Sequence, residues 1–189
     1  MTEMKKLPDL VYTAFALSII QSRSEDIFSP KKTEERIMQF NLTLKETTLL
    51  KDLKEQEKLC ADKYQKHAAC AHDPQLKQLF TELSGVENAH YQMLTDIESG
   101  RLPASGQGNN VNGQFTATYN MSDTQEKKDD AYLCSDLLAT EKHVSALYNT
   151  CVFEFTRPEL RQVLNKIQTD EQEHGEKIYQ YMKTNAMYS

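Results

Sequence analysis

Apolar side chains along most of this chain recur at alternating steps of three and four residues, the spacing that lays one stripe along a helix. Leu50, Leu53, Cys60 and Ala71 share a first stripe, and Leu76, Leu79, Leu83, Met93 and Ile97 a second. Cys134, Leu137, Val144, Cys151 and Phe155 form a third, and Leu160, Val163, Ile167, Ile178 and Tyr181 a fourth. Strict alternation of apolar and polar residues is absent, so an all-α chain is predicted. The punctuation agrees. Thr43-x-x-Glu46 reads as a capping box opening a helix that runs to about Ala71. Asp73-Pro74 opens a second helix, ending before Ser99-Gly100. Ser122-x-x-Gln125 reads as the cap of a third, running to about Phe155, and Pro158 opens a fourth, running to about Thr184. Between the pairs, residues 99–122 hold four of the six glycines and read as a connector. Short turns within pairs and a long one between them predict two αα-hairpins joined by a crossover. The expected organisation is a four-helix bundle over 45–184, preceded by an N-terminal helical extension, 1–44, with a start signal at Ser29-Pro30.

The two hairpins are copies. A shift of 84 residues aligns 52–90 with 136–174 without a gap, and ten of the 39 pairs are identical. At roughly 6% per position, average composition supplies two or three. The shared leucines alone would fit any pair of amphipathic hairpins. The shared pairs Glu57/Glu141, Tyr64/Tyr148, Glu87/Glu171 and His90/His174 do not, and internal duplication accounts for them.

Those residues occupy the wrong positions for solvated groups. Glu57 and Tyr64 lie on the first apolar stripe, Glu87 and His90 on the second, Glu141 and Tyr148 on the third, Glu171 and His174 on the fourth. Burying a single unpaired carboxylate costs several kcal/mol, a large part of a domain's stability. Four close together would repel and take up protons. Two divalent cations balance four carboxylates, and the imidazoles complete the coordination. Oxygen and nitrogen donors together suit iron or manganese better than a thiolate-seeking metal. The predicted ligands are Glu57, Glu87, His90, Glu141, Glu171 and His174. Tyr64 and Tyr148, each two turns beyond a ligand glutamate, are placed to bond a carboxylate of the site and to support its chemistry. His67, His72 and His143 lack this pattern and read as ordinary.

Composition narrows the function classes. A formal charge of −6 and the lack of a Lys/Arg block argue against nucleic acid as a partner. Cys60, Cys70, Cys134 and Cys151 form no Cys-x-x-Cys pair, which excludes a zinc ribbon and points to reduced, partly buried thiols. The apolar run Leu10–Ile20 is too short to span a bilayer, and no small-residue cleavage site follows it. A soluble protein retained in the cytoplasm, with no membrane span, is expected.

The order Glu57-x6-Tyr64, Glu87-x-x-His90, Glu141-x6-Tyr148, Glu171-x-x-His174 resembles the ferritin-like di-metal carboxylate superfamily, in particular rubrerythrins and bacterioferritins. In the second half, "DLLATEKHVSALYN", "RPELRQVLNKI" and "QYMKTNAMYS" are similar to the spore coat F family of endospore-forming bacteria. The resemblance implies a ferritin-like bundle holding two metal ions per chain, iron in preference to manganese. Glu87 and Glu171 would bridge the ions, with Glu57 and Glu141 terminal and one histidine completing each. It implies an oxidoreductase of peroxidase, catalase or ferroxidase type, acting on peroxide, O2 or Fe(II) and drawing on an external electron donor. The alternative it leaves open is a structural or assembly protein of the spore coat that retains the metal site. Either way it implies forespore or coat association and a homo-oligomer or coat assembly. The separation of Glu from Glu-x-x-His is 30 in both halves, a few residues shorter than in rubrerythrins, so the hairpin turns must be tight. The paired Cys-x-x-Cys motifs of a rubredoxin module are absent.

Overall fold

The computed structural model describes residues 40–103, 113–119 and 123–188. Most of the expected N-terminal extension, 1–44, and part of the connector lie outside the described residues. Within them are four α-helices and no strand: α1 (Leu44–Cys70), α2 (Pro74–Glu98), α3 (Gln125–Glu154) and α4 (Pro158–Thr184). Residues 40–43 carry no helix and lead into α1.

Three of the four helices start where the sequence supplies a side-chain partner for the first free N–H groups. At α1 the capping box is complete: Glu46 N donates to Thr43 Oγ1 at 3.2 Å, and Thr43 N donates back to Glu46 Oε2 at 2.7 Å. Asp73 caps α2 ahead of Pro74, its Oδ1 accepting from Gln75 N at 2.9 Å. At α3 the cap is Thr124, accepting from Lys127 N at 3.2 Å, two residues beyond the expected cap, Ser122, which lies outside the described residues. Helix α4 has no side-chain cap and starts on Pro158, whose missing N–H needs none. Here Arg161 serves the preceding helix end, donating to the carbonyls of Phe155 (3.0 Å) and Thr156 (2.9 Å).

The helices pair as α1 with α2 and α3 with α4, and the hairpins meet through α1–α3 and α2–α4 contacts. Cross-links run in opposite order along neighbours: Glu57 meets Tyr148 and Tyr64 meets Glu141, while Glu87 meets His174 and His90 meets Glu171. Both inter-hairpin pairs are therefore antiparallel. Helices α2 and α3 are then parallel and diagonal, so the connector must travel the length of the bundle. Residues 113–119 of it lie at the far end, against the start of α2 and the end of α4: Thr116 N donates to Gln75 Oε1 at 3.0 Å, Thr118 N to Asn185 Oδ1 at 2.9 Å, and Phe115 packs edge-on against Tyr181. Gly100, at φ +78°, makes the turn out of α2, where a β-carbon would approach the Phe40 carbonyl to 3.2 Å.

The core forms two apolar clusters. One contains Leu76, Phe80, Leu83, Leu137 and Ile178; the other contains Leu50, Leu53, Leu94, Val144 and Ile167. The stripe positions expected at Met93 and Val163 are only half-buried, and Leu94 and Leu164 fill the core instead. Steps of 4, 3, 4, 3 from Leu83 through Glu87, His90, Leu94 and Ile97 keep every residue on one seam, whereas Met93 stands one position to its side. Cys60, Cys134 and Cys151 are buried and Cys70 is exposed, all as free thiols. No described helix is long and apolar enough to cross a membrane.

Candidate metal centre

The six predicted ligand residues meet between the two apolar clusters, one or two from each helix. Glu57, Glu87, Glu141, Glu171, His90 and His174 are all 2% exposed or less. Their positions follow from the seam: each replaces a leucine-type position in a run of apolar side chains, so the helix packing that buries the leucines buries them too.

Two overlapping groups of donor atoms result, Glu57–Glu87–His90–Glu171 and Glu87–Glu141–Glu171–His174, each with one atom per residue and all within 4.8 Å of one another. Glu87 and Glu171 belong to both. The imidazoles turn Nδ1 inward. His90 Nδ1 lies 3.2 Å from Glu87 Oε2, 3.2 Å from Glu171 Oε1 and 3.5 Å from Glu57 Oε2. His174 Nδ1 lies 3.0 Å from Glu87 Oε1 and 3.5 Å from Glu141 Oε2. The two rings stack, 5.8 Å apart and 18° from parallel.

Of these contacts the one between His90 Nδ1 and Glu87 Oε2 is a hydrogen bond, and the others are contacts between charges. Among the described residues, the buried side-chain nitrogens and oxygens without a hydrogen-bond partner are Glu57 Oε2, Glu87 Oε1, Glu141 Oε2, both Glu171 oxygens and His174 Nδ1. All belong to this one cluster, and the rest of the core satisfies its polar groups, as native cores do. Four carboxylates and two imidazoles, converging in two overlapping groups, could hold metal ions.

One oxygen each of Glu57 and Glu141 is held crosswise. Tyr64 on α1 donates its hydroxyl to Glu141 Oε1 on α3, and Tyr148 on α3 donates to Glu57 Oε1 on α1. Burial, then the carboxylates around them, push both phenols well above the usual range, so both remain protonated donors. Burial pushes Glu57 up to about 7, against the pull of His90. Burial and the charge of Glu87 raise Glu171 well above the carboxylate range. Glu87 goes the other way, because its contacts with His174 and His90 outweigh burial. Burial disfavours a charged ring, yet the carboxylates raise both histidines, His174 to about 9 and His90 well above its ordinary value. Protons on the imidazoles thus supply positive charge that the carboxylates demand.

One neighbour was not singled out in the sequence. Asp170, immediately before Glu171, lies across the α2–α4 interface with its Oδ2 3.2 Å from His90 Nε2, and Lys166 bonds the same carboxylate. The available signal was the doubled acid of Asp170-Glu171-x-x-His174, which the first hairpin lacks. The remaining histidines stay outside the cluster: His67 Nε2 bonds Asp136 at 2.8 Å, His72 faces Asp129 at 3.4 Å, and His143 is exposed.

No curated protein and no solved structure matches this chain. A protein-family model does match: the Coat F domain, over residues 129–189, or 61 of 189 residues. That span covers most of α3 and all of α4, and so carries Glu141, Tyr148, Glu171 and His174. The second hairpin is similar to the Coat F domain of spore coat proteins.

Proposed function

We propose that the buried cluster is a dinuclear metal centre of the ferritin-like kind and that the protein is a di-iron or di-manganese oxidoreductase of spores. The observation that carries this reading is the confinement of the buried unpartnered side-chain donor atoms, among the described residues, to five of the six ligand-type residues, Glu57, Glu87, Glu141, Glu171 and His174. Unsatisfied buried polarity of that extent costs several kcal/mol, which bound metal would offset. Glu87 and Glu171, shared by both donor groups, would hold both ions, with Glu57 and His90 completing one position and Glu141 and His174 the other. When bound, the ions supply the electron transfer by which peroxide or O2 is reduced, or by which Fe(II) is oxidised. The protein's own residues do the rest. Tyr64 and Tyr148 fix the orientation of Glu141 and Glu57 by donating a hydrogen bond to each. The flanking leucines and isoleucines exclude bulk water and preserve the spacing of the carboxylates.

The test is repeated turnover. Protein loaded anaerobically with Fe(II) should be oxidised by H2O2 or O2 within seconds and be re-reducible through many cycles, while a Glu87→Ala/Glu171→Ala variant should do neither. A second reading, a coat assembly protein whose metal site serves only stability, is favoured by the Coat F match. It expects a bound metal that reacts slowly or once, and assembly defects from changes on outer helix faces rather than at the ligands.

A further inference from the structure

The duplication makes the two donor groups near copies, and the breaks in the copy are informative. Position 170 in the second hairpin corresponds to Val86 in the first, and Lys166 corresponds to Glu82. His90 therefore has a carboxylate on its outward nitrogen, Asp170 at 3.2 Å, with Lys166 in turn bonded to that carboxylate. Among the described residues, the ion pairs of His174 are to Glu87 and Glu141 alone, both on its inward Nδ1. Asp170 is only 13% exposed at its side chain, while Lys166 is 41% exposed and reaches solvent. The polar chain His90–Asp170–Lys166 thus runs from the centre to the surface on the His90 side.

An outer carboxylate fixes the tautomer of a ligating imidazole and increases its basicity, and its loss typically weakens metal binding by about 10–100-fold. With Asp170 holding the proton on Nε2, Nδ1 presents a lone pair to the centre. Among the described residues no carboxylate pairs with the Nε2 of His174. We infer that the two metal positions are unequal, that the Glu57–Glu87–His90–Glu171 position fills first, and that Asp170 is the positioning residue that makes it so. This rests on the dinuclear reading above and deepens it.

Mn(II) titration of the metal-free full chain tests both separately. Wild-type protein should bind Mn(II) in two steps separated by about 10–100-fold in affinity. At one equivalent its electron paramagnetic resonance spectrum should be that of an isolated Mn(II) ion, with the coupled-pair signal growing only as the second equivalent binds. Asp170→Asn should weaken the first step by about 10-fold or more, leave the second within a few-fold, and give coupled pairs already at one equivalent. Asp170→Glu should restore most of the separation. Two equal steps in the wild type, or an Asp170→Asn variant that weakens both steps alike, would overturn the inference while leaving the dinuclear centre standing. Folded wild-type protein that binds no Mn(II) would overturn both. The wild-type spectrum at one equivalent decides the matter even if a variant fails to fold.

Discussion

Replacing Glu171 with leucine should make the metal-free protein more stable while destroying its metal site. Glu171 is 1% exposed, both its oxygens lack a hydrogen-bond partner, and its nearest opposite charge is His90 Nδ1 at 3.2 Å. Each orphaned buried acceptor costs about 1–3 kcal/mol, and a buried leucine contributes about 1.5–3 kcal/mol relative to an exposed one. Against this stands the lost attraction to His90, which keeps contacts with Glu57, Glu87 and Asp170. Well-packed apolar replacements of buried ionic groups stabilise by about 1–4 kcal/mol where they stabilise at all. Taking about 2 kcal/mol, the melting temperature should rise by roughly 4–8 °C for a chain of this size. The assay is thermal unfolding by circular dichroism in chelator, repeated with Mn(II) added. Wild type should start lower and gain stability on Mn(II) addition; Glu171→Leu should start higher and gain little. Glu171→Gln, which removes charge at constant shape, should fall between them in chelator. A Glu171→Leu protein that melts several degrees below wild type in chelator would refute the reasoning, because the cluster would then be a self-sufficient polar core.

The remaining predictions follow from the same geometry. In metal-free protein, His174 at about 9 and Glu57 at about 7 both lie above their ordinary values, so the native state holds more protons than the unfolded chain. Stability should therefore fall as pH rises, through the Glu57 range between about 4.5 and 7 and the His174 range between about 6.5 and 9, with His174 alone contributing about 3 kcal/mol. The gain in melting temperature from added Mn(II) should grow over the same span, since metal replaces those protons; a gain that shrinks with rising pH contradicts the assignment. Tyr64→Phe and Tyr148→Phe should each slow the oxidation cycle by about 10–100-fold with both metals retained, as measured by stopped-flow absorbance. Unchanged rates would remove the tyrosines from the chemistry. Glu46→Ala should destabilise by about 1–3 kcal/mol with metal content unchanged, because Glu46 also accepts from Thr156 N at 2.8 Å and so ties α1 to the α3–α4 turn.

Much of this arrangement was legible in the sequence, for a definite reason. Glu57, Glu87, Glu141 and Glu171 interrupt apolar stripes, and a helix with period 3.6 carries them into the core with their neighbours. Local capping was legible too, since Thr43 and Glu46 bond each other over three residues. What depends on how helices face one another was not. Glu46 reaching Thr156, Tyr64 and Tyr148 crossing to the opposite hairpin, and Asp170 meeting His90 all require the antiparallel pairing of the hairpins at matched depth. Asp170 was further hidden because the repeat that exposes the ligands has valine at its counterpart, Val86. The shift from Met93 and Val163 to Leu94 and Leu164 is one position each, too fine for a stripe read without its packing partner.

Metal content bears most directly on the central claim. The folded chain, stripped with chelator and dialysed against Fe(II) under anaerobic conditions or against Mn(II), should retain two ions per chain by plasma mass spectrometry. The Glu87→Ala/Glu171→Ala variant should retain none, since both residues belong to each donor group. Folded wild-type protein that retains one ion or none with both metals would contradict the account.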